Sequence, residues 1–293
     1  MSVALFFQQF CSEISIPQTK RSSVSYRTAR LTKQLNADFR NINSDTENRF
    51  YSGSYGRNTA IPSVSDIDLI YVLPYSVYER FNAYASGKQS ALLQAVRQSV
   101  DTTYPNSATV ADGQIVSIAF TDGLTFEIVP VFLNDSGSYT YADSNNGGSW
   151  KTCKPKHEID AFIARNVECN RNLVELGRMV RAWRDYNDVS MSGMLIDTLA
   201  YQFMATWEHK DKSYLYYDWL TRDFFSFLGA QSSTQHYWTA PGSGSYVWRT
   251  GSFEYKARQA YARSLEAITH LGKDEFYSAK QKFREIYGTS FPS

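Results

Sequence analysis

The spacing of apolar residues changes character near the middle of the chain. Residues 21–43 place Tyr26, Ala29, Leu31, Leu35, Phe39 and Ile42 at near-helical intervals among Arg and Lys, which predicts an amphipathic helix. A short strand is expected at 49–52, then a small-residue turn and a polar loop over 58–65. Residues 66–73 read as a strand stopped by Pro74. From Ser76 to about Val100 the pattern is helical again, with a weak centre at Ser86–Gly87. Strands are expected at 108–111, 114–120 and 125–132, with Asp122–Gly123 as a hairpin signal and Pro130 marking an edge or a strand end. Residues 134–149, rich in Asn, Ser, Gly and Asp, read as a hairpin or loop.

From Glu158 onward only helical periods remain, over 158–186, 191–209, 214–229, 252–272 and 274–286. They are interrupted by a long polar and aromatic loop, 231–251, that contains Pro-Gly-Ser-Gly-Ser at 241–245. The pattern predicts an α+β chain: a mixed-sheet domain over 1–150, opened by the long helix, and a helical domain over 151–293. A groove between the two is the natural ligand site.

Composition narrows the picture. Hydrophobic residues make up 43% and charged ones 20% of 293 residues, as expected of an ordinary globular protein. No apolar run reaches the roughly 20 residues that a membrane helix needs, and the N-terminus lacks a basic start, so neither a membrane span nor a signal peptide is expected. The net charge of +1 gives no general nucleic-acid-binding surface. Cys11, Cys153 and Cys169 form no close pair, which suits a reducing cytoplasm. Cys153, His157 and Cys169 make at most a partial zinc set, and ordinary structural roles are the alternative.

The chemistry concentrates in residues 53–68. Asp66 and Asp68 stand two apart at the head of a strand and therefore share a face. Eleven residues before them lies Gly53-Ser54, a turn able to bring backbone N–H groups to a phosphate. Two same-facing acids beside a phosphate seat suit a hard divalent cation and phosphoryl or nucleotidyl transfer. A third acid is expected from a neighbouring strand. Glu127 is the candidate, because it is isolated among apolar residues in Phe126-Glu-Ile-Val-Pro130. A solvent-facing edge glutamate is the alternative, and Asp112 and Asp122 read better as turn residues.

At these residues the chain resembles the DNA-polymerase-β-type nucleotidyltransferase superfamily, whose signature is an hG[GS] turn, a spacer of about a dozen residues and Dh[DE]h. Ser52-Gly-Ser54 and Asp66-Ile-Asp-Leu69 match it. Within that superfamily the chain most resembles the bacterial cGAS/DncV-like enzymes, second-messenger synthases of anti-phage signalling. The Phe126–Pro130 strand and a helical half similar to that of oligoadenylate synthases carry the likeness further. The resemblance implies an enzyme that joins ribonucleoside triphosphates (ATP, GTP or both, with a pyrimidine nucleotide as an alternative) into a cyclic di- or oligonucleotide and releases pyrophosphate. It implies that Asp66, Asp68 and Glu127 hold two magnesium ions, with manganese as a substitute. Gly53 and Ser54 would take the β- and γ-phosphates, and Arg181 and Ser192 would help hold the triphosphate. Gly193 departs from the aromatic residue often found there. An effector protein would bind the product rather than this chain, and no double-stranded DNA activator is expected. A linear oligonucleotide synthase, a transferase acting on RNA or protein, and an inactive nucleotide sensor are the alternatives.

Other residues carry weaker expectations. Arg57 reads equally as a phosphate contact or a surface arginine, and Lys154, Lys156 and His157 as a linker or part of an acceptor pocket. His209, His236 and His270 read as surface or packing residues. Tyr237, Trp238, Tyr246 and Trp248 read as loop anchors, with base stacking as the alternative.

Overall fold

A computed structural model describes residues 2–293. Its chain divides into two compact units. One comprises residues 17–56 and 63–156, the other residues 1–16, 57–62 and 157–293.

The first unit is a mixed sheet with helices on one face. The long helix α2 (Gln18–Arg40) follows Pro17 and stops at Asn41, which adopts the left-handed conformation that Asn tolerates. Strand β1 (Arg49–Tyr51), a single helical turn α3 (Gly53–Gly56) and strand β2 (Asp66–Leu73) follow. The expected 76–100 helix is two, α4 (Tyr75–Asn82) and α5 (Lys88–Thr103), separated at Gly87 with φ +63°. Strands β3 (Ala108–Asp112), β4 (Ile115–Ala119) and β5 (Thr125–Leu133) match the predicted trio. The Asn/Ser/Gly-rich stretch carries β6 (Tyr139–Asp143), and β7 (Ser149–Cys153) follows it.

Strand order is β1-β2-β5-β4-β3, with β6 on β5 and β7 on β6. Among the described residues, only the β2–β5 pair is parallel. Pro130 sits inside β5 rather than at an edge. Pairing of β5 with β4 runs through Ile128 and pairing with β6 starts at Val131, so the missing N–H falls in the gap between two ladders. Ile67, Leu69, Tyr71 and Leu73 of β2, with Phe126 and Ile128 of β5, join one core with Leu31, Leu35, Leu92 and Val96 of α2 and α5. The opposite face of β2 and β5 carries a small cluster around Ile70 and Val131 and, at the strand starts, the acids.

The second unit is mostly helical. Its helices are α1 (Val3–Glu13), α6 (Pro155–Glu168), α7 (Asn172–Tyr186), α8 (Gly193–Thr206), α9 (Tyr217–Gly229), α10 (Glu254–Leu271) and α11 (Phe276–Tyr287). The expected 158–186 helix breaks at Asn170 and Arg171, both at positive φ. Helix α1 joins this unit because Phe7 and Phe10 are fully buried, Phe7 against Phe283 at 5.0 Å and Phe10 against Phe291 at 5.1 Å between ring centroids. The long loop folds into a hairpin, β8 (Tyr237–Thr239) with β9 (Tyr246–Trp248). Trp238 and Val247 anchor it inward while Tyr237, Tyr246 and Trp248 stay exposed. Among the described residues, no helix is long and apolar enough to cross a membrane.

Candidate active site

Parallel pairing of β2 with β5 sets Asp68 directly opposite Glu127 and Asp66 opposite Thr125. Side chains alternate along both strands, so Asp66, Asp68 and Glu127 project on the face opposite Ile67, Leu69, Phe126 and Ile128. Asp66 is exposed, and Asp68 and Glu127 are half-buried. The carboxyl of Glu127 is pushed above its usual range, first by burial and then by the charges of Asp68 and Asp66. The three acids are therefore within electrostatic reach of one another.

The Gly53–Gly56 turn is sewn to the same strand. The Ser52 N–H donates to the Asp68 carbonyl at 2.9 Å, and the Gly56 N–H to the Ser52 carbonyl at 2.8 Å. Gly53 has φ +59°, and a Cβ there would collide with the Asp68 carboxylate. The position demands glycine twice, for its backbone and for its bare Cα. Asp68 and the turn thus share one small space. Ser54 lies half-buried in the turn. The approach to β2 is fixed by Lys20, whose ammonium donates to the Val64 carbonyl at 2.5 Å.

The donor set suits a divalent cation. Carboxylate oxygens are what magnesium or manganese prefers, and such ions keep several waters and need no protein cage. Among the described residues, no group of three His, Cys, Asp or Glu side chains forms a ready-made metal cluster. The acidic trio is thus an open array, and Cys153, His157 and Cys169 form no zinc cluster. Cys169 is instead buried, with its Sγ 3.7 Å from the Met204 carbonyl.

Arg181 and Ser192 lie in the helical unit. Arg181 is 3% exposed, and its Nη1 donates to Asp197 Oδ1 at 2.7 Å and to the Gly177 carbonyl at 3.0 Å. Its Nη2 donates to Asp197 Oδ2 at 2.9 Å and to the Gly193 carbonyl at 3.0 Å. The expected phosphate contact of Arg181 is thus accompanied by a structural one: both terminal nitrogens of a buried guanidinium are engaged within the helical unit. Gly193 fits the same picture, since a Cβ there would press on Arg181 Nη2 at 3.1 Å. Ser192 caps α8, its Oγ accepting from the Leu195 N–H at 3.1 Å. Arg57, read equally as a phosphate contact or a surface arginine, is not at the surface; it is buried against Asp197 at 2.8 Å. Asp197 itself went unnoticed in the sequence. Burial pushes its carboxyl up, but Arg181 and Arg57 outweigh that and hold it below the usual carboxylate range.

Asp122 is a turn residue, as read, whereas Asp112 is the last residue of β3, paired with Ile115 next to the turn. Asp122 pairs with Arg27 at 2.9 Å, and Asp112 Oδ1 accepts from the Gly113 N–H at 2.8 Å. His209 packs among Trp207, Tyr216 and Trp219, and His270 contacts Glu275 at 2.5 Å.

The raised Glu127 carboxyl yields a stability prediction. A carboxyl whose pKa is higher in the folded state contributes stability below its unfolded value of about 4.3, and loses it as pH rises through the folded value. Glu127→Gln, which mimics the protonated form, is expected to melt higher than the parent at neutral pH, with the gap closing toward pH ~4. A melting series across that range checks it; an unchanged or lower neutral-pH Tm would refute the electrostatic reading.

A mixed sheet that sets two aspartates and a glutamate beside a Gly-Ser turn is the architecture of a polymerase-β-type nucleotidyltransferase. The family described as Second Messenger Oligonucleotide or Dinucleotide Synthetase domain matches residues 1–166, more than half of the chain, and the chain belongs to it. It is therefore an enzyme, a nucleotidyltransferase that makes oligonucleotide or dinucleotide second messengers.

Solved structures agree on the fold over nearly the full length. CdnC of E. coli, solved in complex with HORMA-deltaN, superposes with a TM-score of 0.70 at 14% identity, covering 99% of this chain and 98% of its own. The Vibrio cholerae DncV cyclic AMP-GMP synthase with nonhydrolyzable GTP gives 0.67 at 14% identity, covering 96% and 93%. CdnG of Bradyrhizobium diazoefficiens, in complex with GTP, gives 0.65 at 10% identity, covering 98% and 95%. Among curated proteins, none matches this sequence.

Proposed function

We propose that this enzyme closes ribonucleoside triphosphates into a cyclic di- or oligonucleotide that signals in anti-phage defence. The observation that carries the reading is the pairing of Asp68 with Glu127 on one sheet face, with Asp66 beside them and the Gly53 turn packed on Asp68. Purine triphosphates are the first substrates to try, since the related CdnG and DncV structures hold GTP or its analogue and another CdnC structure is described with ATP.

In this reading Asp66, Asp68 and Glu127 hold the divalent cations, magnesium or manganese. Such ions would neutralise phosphate charge and polarise the reacting oxygens. Gly53 and Ser54 receive the β- and γ-phosphates, with Arg181 and Ser192 as further triphosphate-binding residues. The ribose hydroxyl of one nucleotide attacks the α-phosphorus of another, a phosphodiester bond forms, and the bond to pyrophosphate breaks. Glu127, opposite Asp68 on the same sheet face, accepts the hydroxyl proton. A second transfer within the linear product closes the ring. An effector protein that binds this ring would carry the signal, and no double-stranded DNA is required for activity.

The test is incubation with all four ribonucleoside triphosphates and magnesium or manganese, followed by phosphatase. A cyclic product has no terminal phosphate and persists; a product trimmed by phosphatase would identify a linear oligonucleotide synthase instead.

A further inference from the structure

Between the Gly53–Gly56 turn and β2 runs Arg57-Asn-Thr-Ala-Ile-Pro62, without regular secondary structure, as expected for the polar stretch 58–65. Yet Arg57, Thr59, Ala60 and Ile61 are buried, and the segment belongs to the helical unit. Two helices hold it through side chains. On α8, the fully buried Asp197 accepts from Arg57 Nε at 2.8 Å and from the Thr59 hydroxyl at 3.1 Å, while Arg181 grips both of its oxygens. On α7, Arg178 donates Nε to the Asn58 carbonyl at 3.0 Å and Nη2 to Asn58 Oδ1 at 2.9 Å.

The cluster is built into the fold. A Cβ at Gly177 would come within 3.0 Å of the Thr59 side chain and 3.3 Å of Asp197 Oδ1, so a bare Cα leaves the room the carboxylate uses. Buried ion clusters of this kind are poor stabilisers compared with apolar packing of the same volume. What they supply is direction, because each donor must meet a fixed acceptor. Here the direction is imposed on Arg57, the residue that immediately follows the turn carrying Ser54.

We infer that Asp197 is a positioning residue for nucleotidyl transfer: by fixing Arg57 and Thr59 it sets how the Gly53–Gly56 turn presents Ser54 and its backbone to the triphosphate. Asp197 acts through this segment and needs no contact with substrate. The inference rests on the reading of that turn as the phosphate seat.

The experiment measures steady-state kinetics and equilibrium binding of nonhydrolysable ATP and GTP analogues. Arg57→Gln removes the charged link from the segment side while leaving Asp197 on Arg181 and Thr59, so it is the variant expected to stay folded if Asp197→Asn does not. Both changes are expected to raise KM for the triphosphate and weaken analogue binding by about tenfold or more, with a smaller effect on kcat. Arg57→Lys restores part of the loss. In the double variant the two effects fall short of their sum, because they break one link. Thr221→Val removes a buried hydrogen bond to the Tyr287 hydroxyl, 2.9 Å long and in the same unit. It lowers stability but leaves KM within about twofold. If Arg57→Gln also leaves KM and analogue affinity within about twofold, the positioning role is wrong. If the unaltered enzyme binds no triphosphate, the phosphate-seat reading fails and this inference falls with it; normal binding with an indifferent Arg57→Gln overturns the inference alone.

Discussion

Replacing Asp66 and Asp68 together by asparagine is expected to abolish product formation while leaving the chain folded. Asparagine keeps the shape of each side chain and removes the charge that a divalent cation needs. Loss of a group that merely hydrogen-bonds a metal ligand already costs roughly 10–100-fold in metal affinity or activity. Losing two ligands should therefore cost more than about 10³-fold. The fold should survive, because β2 is held by Ile67, Leu69, Tyr71 and Leu73 on the opposite face. Thermal melting and circular dichroism check the fold, and chromatography of phosphatase-treated reactions checks the chemistry. A folded double variant that still makes the product would move the catalytic centre away from this face.

The largest stability effect is expected at Asp197. Asp197→Ala strands Arg57 and Arg181, both buried, with no carboxylate between them. Removing one partner of a buried ionic group typically costs about 3–5 kcal/mol. The pH dependence has a definite sign. The Asp197 carboxyl lies below its usual range in the folded state, so its contribution is present above the unfolded value of about 3.9 and fades as pH falls below it. Parent and variant should therefore differ most at neutral pH and converge on acidification. Urea melts at a series of pH values test this, and a neutral-pH cost below about 1 kcal/mol, the range of an exposed pair, would contradict the buried pairing.

Much of the candidate site was legible because its signals are local. Asp66 and Asp68 announce themselves by spacing on a strand, and Glu127 by standing alone among apolar neighbours. Both signals need only the alternation of side chains along β2 and β5. The structural role of Arg181 was hidden for the opposite reason. Its partner Asp197 lies on another helix, and nothing in the run around Arg181 shows that its charge is already neutralised. The same holds for Arg57–Pro62, whose polar start conceals that its side chains are buried in the helical unit. Helix α1 escaped notice because the residues that cover Phe7 and Phe10 lie at the far end of the chain. Strands β6, β7, β8 and β9 are short and set among Gly, Ser and Asn, where turn chemistry masks strand periodicity.

The single parallel pair in the sheet bears on how the enzyme is made. A hairpin brings neighbouring acids together within a few residues, but β2 and β5 meet only after the intervening helices and strands have been synthesised. A nascent chain that has emerged through Asp68 carries two of the three acids and no centre. The third arrives 59 residues later, at Glu127, in a strand that must slot in beside β2 with the correct register. Contacts so distant in sequence form late and slowly. On the proposed reading of these acids, catalytic competence waits for β5 to pair with β2, and a ribosome-bound fragment ending before β5 cannot make a premature signal.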